Sequence, residues 1–376
     1  MNFSCSQETL SKYLSLISRI VNTKNSMPIL SNVLLKVEKG KLIMTATDLE
    51  LGLHTWVGSE VRESGEITVP AKQLAEYVSS LPSGKVDFVL KNNVLTVSST
   101  NNTADFNTIS PEDFPQVATS VNDKPTVTIP IVDFLKVVER VAFSAATDNI
   151  KPVLTGILVE IRDDLISFVS ADSLRLSRQV VRMKTGVAED IDLLIPSRAF
   201  VEMASIINAT NSESKSETLE LYVLEDNNQV LLKFGDIDLV SRMLDGQFPA
   251  YKQIIPTGYK IKAEFEKEAF SKSLKITNII ARNVVGNKIV LNIDEDKKTI
   301  TLSASMSDVG SNESSFEAKI EGGALQIAFN GKFLNDLISH VDGDTLVFEA
   351  VSAVNAGVFR IKDDNDFIHL IMPMML

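Results

Sequence analysis

Three histidines, one cysteine and a pair of aspartates at matched positions are the groups with which this chain of 376 residues would do chemistry. His54, His340 and His369 lie far apart, and no pair has the spacing of metal ligands on one element. Cys5 precedes the first helical segment without an evident histidine partner and reads as a small packed residue. There is no glycine loop of the kind that cradles phosphate and no Gly-x-Ser-x-Gly elbow. Asp48 and Asp172 each follow a strand-like run, a placement open to a catalytic carboxylate. Their recurrence at matched positions favours a structural turn or cap instead. The acidic clusters Asp294-Glu295-Asp296 and Asp363-Asp364-Asn365-Asp366 lack the following glycine and distal glutamate of a calcium loop, and read as turns. An enzyme is the weaker reading, and neither a metal nor a cofactor is expected.

The elements around these residues repeat. MPILSNVLLKV at Met27 to Val37, a charged turn and MTATDLELGL at Met44 to Leu53 form one unit. The same order returns as KPVLTGILVEI at Lys151 with VSADSLRLSR, and more weakly as NKIVLNI at Asn287 with ITLSASMSD. A small-repeat solenoid would recur every ~20 to 50 residues, so the repeating unit here is a whole domain. Amphipathic segments precede each first strand, at Leu10 to Val21, Ile131 to Ala142 and Ala269 to Ala281. A second helical segment follows TVPAKQL at Thr68, LIPSRAF at Leu194 and AFNGKFL at Ala328. Short alternating runs such as KVDFVL and QVLLKF, with turns between them, read as hairpins. The expected architecture is α+β: three repeated domains, each with two helices and antiparallel sheets, at residues 1–120, 121–255 and 256–376.

Basic residues recur on these helices. Lys12 and Arg19 share a face of the first, and Lys136 and Arg140 are expected to be exposed on its second-repeat counterpart. Lys272, Lys275 and Arg282 make the stripe of the third, while Lys72, Arg198 and Lys332 stand near the starts of the other helices. Solvated helix faces are the ordinary fate of such charges. Recurrence in a chain with net charge −12 argues for a shared basic surface toward phosphates, sequence-independent and sensitive to salt. No recognition-helix, zinc-finger or aromatic stacking motif is present, so base reading is not expected. A single cysteine fits a reducing cytoplasm. No apolar run is long enough to span a membrane, and the N-terminus lacks the features of a signal peptide.

The order and spacing of these phrases, with DGQFPAYKQIIP at Asp245 and LIMPMML at Leu370, resemble the bacterial sliding clamp family, the beta subunit of DNA polymerase III, over essentially the whole chain. The resemblance implies three clamp-type domains per chain and a head-to-tail homodimer closed into a ring. It would encircle double-stranded DNA and catalyse nothing. Implied partners are the replicative DNA polymerase, an ATP-dependent clamp loader and other clamp-binding-motif proteins, with no membrane. The basic helix faces would line the hole, and Lys24 sits where the family often has a basic DNA-contacting loop residue.

The resemblance also implies an apolar peptide pocket. Leu154, Arg175, Leu176, Pro249 and Ile254 would contribute, with Asn330, Phe333 and Val351 of the third repeat and Met372, Pro373 and Met374 of the tail. Phe106 and Ile276 fall where the family places apolar dimer-interface residues. This chain departs from the family pattern at Leu174, where a histidine is common, and at Met375, where a basic residue is usual. The alternative is a repeat-built scaffold that binds only proteins. A hydrolase using Asp172 and Arg175 has the least support.

Overall fold

The computed structural model describes residues 1–21, 27–119, 124–210 and 216–376, so Lys24 lies outside the described residues. Six α-helices occur among them: α1 Gln7–Ile20, α2 Ala71–Ser80, α3 Ile131–Val141, α4 Ser197–Thr210, α5 Lys267–Ala281 and α6 Gly331–His340. They fall in the six segments whose apolar spacing predicts helix. Among the described residues every strand pairing is antiparallel.

The chain packs as two compact units, residues 1–134 with 198–243, and residues 135–197 with 244–376. The first unit holds a five-stranded sheet that ends on the strand Asn102–Asn107, and an eight-stranded sheet. Within the latter, Leu51–Gly58 of the first repeat pairs with Ile237–Arg242 of the second. The second unit has a nine-stranded sheet in which Arg175–Arg182 pairs in the same way with Phe367–Ile371, and a four-stranded sheet that ends on Gly310–Glu317. Sheets therefore run across repeat boundaries, and the two halves of the second repeat belong to different units.

Alternation sets which side of each strand is buried. Asn32–Glu38 buries Val33, Leu35 and Val37, and Lys288–Asp294 buries Ile289, Leu291 and Ile293. The helices contribute one stripe each, with Leu10, Leu14, Ile17 and Ile20 buried on α1. On α3 the buried stripe runs through Phe134, Val137 and Val141, while Leu135 is only partly covered. Of the stripe that spacing predicts, Ile131, Leu135, Val138 and Val141, all but Leu135 are buried, and Phe134 and Val137 widen the covered side. The wider covered side takes in Arg140, three residues after Val137.

Candidate peptide pocket and basic helix faces

The two matched aspartates build turns. Asp172 Oδ1 accepts the amides of Leu174 and Arg175, both at 3.0 Å, with Ser173 held at φ 78° between them. Asp48 Oδ1 does the same for Glu50 and Leu51 at 3.1 and 2.8 Å, again with the intervening residue, Leu49, at φ 78°. An aspartate that satisfies two amides stabilises a turn whose middle residue sits in the left-handed region. The carboxylates are thus committed to local geometry.

The Asp172 turn presents Arg175 to the third repeat. Its Nε donates to Asp172 Oδ2 at 2.9 Å and its Nη1 to Asp336 Oδ2 of α6 at 2.6 Å. The guanidinium also lies over the rings of Phe333 and Phe143, 4.6 and 5.5 Å from their centroids. This side chain holds the turn against α6 and is itself buried. Leu154 and Leu176 lie deeper still, at 3% and 1% exposure, in a cluster with Tyr251, Val358 and Leu370. They form a covered floor beneath the surface. Ile254, Leu174 and Met372 are exposed apolar groups, Pro249 is also exposed, and Val351, Phe333, Pro373 and Met374 are half-buried. Asn330 caps α6, its Oδ1 accepting the Lys332 amide at 2.8 Å.

The tail is strapped down by backbone bonds, Met372 N to Leu174 O and Met374 N to Ala328 O, both at 2.8 Å. The DGQFPAY segment is pinned by Tyr251, whose hydroxyl donates to Glu160, and by Lys252, which reaches Glu160 Oε1 at 2.8 Å. Burial and then the hydrogen bond to Glu160 push the Tyr251 hydroxyl up to about 12, so it remains a donor. Tyr251, Phe143 and Asp336 are the members sequence reasoning missed. Tyr251 stands inside the DGQFPAYKQIIP phrase, which was a usable signal. Phe143 and Asp336 meet Arg175 only through the fold.

The basic faces are more compensated than their spacing suggests. Arg19 pairs with Glu202 at 3.0 Å and Arg198 with Asp48 at 2.6 Å. Lys272 pairs with Glu268 at 2.6 Å, and Lys136 stands 3.7 Å from Asp364. Lys12 and Lys72 are half-buried. Arg140 must be corrected: it is 3% exposed, bound to Asp342, Asp364 and Gln179, and offers no charge to solvent. Lys275, Arg282 and Lys332 are exposed, and among the described residues none has a carboxylate within ion-pair distance. They line a cleft of about 290 Å³ with Asn278, Asn287 and Asn335.

Cys5 is buried and free, and burial alone pushes its thiol up to about 12, which fits the packed reading. His340 and His369 are brought to the same ring, Phe143, at 4.6 and 5.3 Å between centroids. Among the described residues, no group of three His, Cys, Asp or Glu side chains is placed to hold a metal ion. Phe106 lies half-buried on the edge strand Asn102–Asn107, against Tyr77, whereas Ile276 and Ile279 of α5 are 48% and 57% exposed.

An α+β chain of three helix-and-sheet repeats, with sheets shared across repeat boundaries, defines the class. Family models for the N-terminal, central and C-terminal domains of the DNA polymerase III beta subunit match residues 1–118, 128–250 and 252–375. The chain belongs to the DNA polymerase III beta subunit family. Among its relatives, the beta sliding clamps of Synechococcus elongatus and Synechocystis sp. are 30% and 29% identical, each alignment covering 100% of both chains. The crystal structure of the DNA polymerase III subunit beta from Pseudomonas aeruginosa superimposes with a TM-score of 0.91 at 25% identity, covering 100% of both chains. The DNA polymerase sliding clamp from Bacillus subtilis has the same fold, with a TM-score of 0.93 at 20% identity over 100% of this chain and 99% of that one. Family membership makes this chain a sliding clamp, a non-catalytic processivity factor, and the scaffold reading is not favoured.

Proposed function

We propose that the chain works as a head-to-tail homodimer that closes around duplex DNA and tethers a replicative polymerase through the pocket around Leu176 and Met372. Supporting this reading most directly is how the repeats are joined. Leu51–Gly58 pairs with Ile237–Arg242, and Arg175–Arg182 with Phe367–Ile371, so each junction uses the same two strand positions. The strands left over at those positions are Gly310–Glu317 of the third repeat and Asn102–Asn107 of the first. Each is a sheet edge with a single neighbour. Pairing them between two copies satisfies both edges and repeats the internal joint. Phe106 lies on one edge and Ile276 beside the other, on the helix packed against Gly310–Glu317.

In this reading Lys275, Arg282 and Lys332 face DNA, together with Lys12, Lys24 and Lys72 and the ion-paired Arg19, Lys136, Arg198 and Lys272. Retention then rests on topology more than on contact energy. Ring opening falls to an ATP-dependent clamp loader, and other motif-bearing proteins share the pocket in the cytoplasm. The test is loading onto nicked circular plasmid followed by gel filtration in rising salt. Retention on the circle, and loss when the DNA is linearised, is expected. Equal loss from both forms refutes encirclement.

A further inference from the structure

The joint between the first two repeats carries a groove built like the pocket at the joint between the second and third. It lies wholly within the first compact unit and has a volume of about 620 Å³. Strand register aligns the two joints. Gly52 faces Val240 where Leu176 faces Leu370, and Leu231 stands beside Val240 as Val358 stands beside Leu370. The linkers align as well, Phe114-Pro115-Gln116-Val117 with Phe248-Pro249-Ala250-Tyr251. Val117 packs with Leu231 and Val240, as Tyr251 packs with Val358 and Leu370. Pro115, Gly52 and Arg242 therefore line this groove at the positions where the peptide pocket has Pro249, Leu176 and Met372.

The groove has a chemistry of its own. Gly52 gives up the leucine side chain, and a Cβ there would fall 2.6 Å from a Val117 methyl. Leu49, at φ 78°, is 50% exposed on the rim, whereas the matched turn residue of the second joint is Ser173. A leucine in the left-handed region carries backbone strain, and this one gains little burial to offset it. Glu50 and Arg242 replace the exposed Leu174 and Met372. Both are exposed, and among the described residues neither has an ion-pair partner.

We infer that this groove is a second docking site, for an extended segment of a partner protein in which an apolar residue stands between an acidic and a basic one. A chain segment is the occupant because the groove's counterpart is the peptide pocket proposed above, on which this reading rests. The apolar residue covers Leu49 and Val117, the carboxylate meets Arg242 and the cation meets Glu50. Gln116 and Gln229, on the same rim, offer carboxamides to its backbone. Charges in place of Leu174 and Met372 make the two sites selective for different segments.

A phage library of random dodecapeptides is selected on the full chain with the glutamine-bearing apolar motif peptide present in excess, and depleted on Leu49→Asn. Asparagine tolerates the left-handed region, so this variant should melt no lower than the parent. Survivors should carry an apolar residue flanked by an acid and a base. Synthesised, they should bind Leu49→Asn and Arg242→Glu roughly tenfold or more weakly than the parent. The motif peptide should bind both variants as it binds the parent. Its own titration reports on the second joint, so a failure there is told apart from a failure here. A selection that yields no survivors, or survivors that bind Leu49→Asn or Arg242→Glu undiminished, overturns the proposal. A Leu49→Asn protein with weakened self-association also overturns it, since a second copy would then be the cover.

Discussion

Replacing Arg140 by alanine tests the corrected placement of that side chain. Its Nη1 donates to Asp364 Oδ2 at 2.7 Å and to Gln179 Oε1 at 2.8 Å, its Nε to Asp342 Oδ1 at 2.8 Å, and its guanidinium lies 5.4 Å from the Phe367 ring centre. Asp364 is only 20% exposed, whereas Asp342 is 65% exposed and its pairing is largely screened by water. Stranding Asp364 costs roughly 3 kcal/mol, at the lower end for a broken buried pair. The lost Gln179 bond adds about 1 kcal/mol. A loss of ~3 to 4 kcal/mol lowers the melting temperature of a unit this size by about 10 °C. Lys136→Ala, removing an amine 3.7 Å from Asp364 at 40% exposure, should cost under ~1 kcal/mol. Burial raises the carboxyls of Asp342 and Asp364, but the hydrogen bonds and charge of Arg140 outweigh it and leave both below the ordinary value of 3.8. The contribution is therefore present above that value and lost as pH falls through the lower folded one, so the deficit of Arg140→Ala should shrink in strong acid. Calorimetry on the three proteins at neutral and acid pH decides it. An alanine variant that melts within ~2 °C of the parent, no worse than Lys136→Ala, refutes the reasoning.

Ile276→Asp places a charge where an exposed apolar side chain is proposed to be covered. It should weaken the dimer by a few kcal/mol, and sedimentation across a concentration series that finds unchanged dimer would contradict this. Deleting Met372 to Leu376 should abolish binding of a glutamine-bearing motif peptide and leave the dimer intact, as titration and mass together would report. His369 is buried and neutral, its imidazole driven down from 6.5 to about 3 by burial and then by the Arg175 charge. Unfolding takes up a proton between those values, so stability falls as pH drops through that window and is unaffected above it. The limit is on the order of 5 kcal/mol by the bottom of the window, and a melting-temperature profile of His369→Leu should be correspondingly flatter.

Periodicity carried the helices because each buries a stripe on its own sheet, a local property that spacing records. The Asp48 and Asp172 turns were legible for the same reason, since carboxylate and amides lie within three residues. Arg140 was misread because what buries it is distant. Spacing of four residues from Lys136 is real, yet Asp342 and Asp364 arrive 202 and 224 positions later in the chain. Arg175 is similar: its phrase was recognisable, but the Phe143 and Phe333 rings and Asp336 that fix it come from other elements.

Sheets that run across repeat boundaries make the covalent link between the first two repeats partly redundant. Five residue pairs join Leu51–Thr55 to Ile237–Ser241, and Arg198 is clasped to Asp48 at 2.6 Å. A protease nick just after Thr119 would sever the backbone without unpairing one of these contacts. The two pieces would stay together through a native gel and part only in denaturant. The excised second repeat would be left with two raw sheet edges, at Ile237–Arg242 and Arg175–Arg182. Each of those edges is covered only by a strand of a neighbouring repeat.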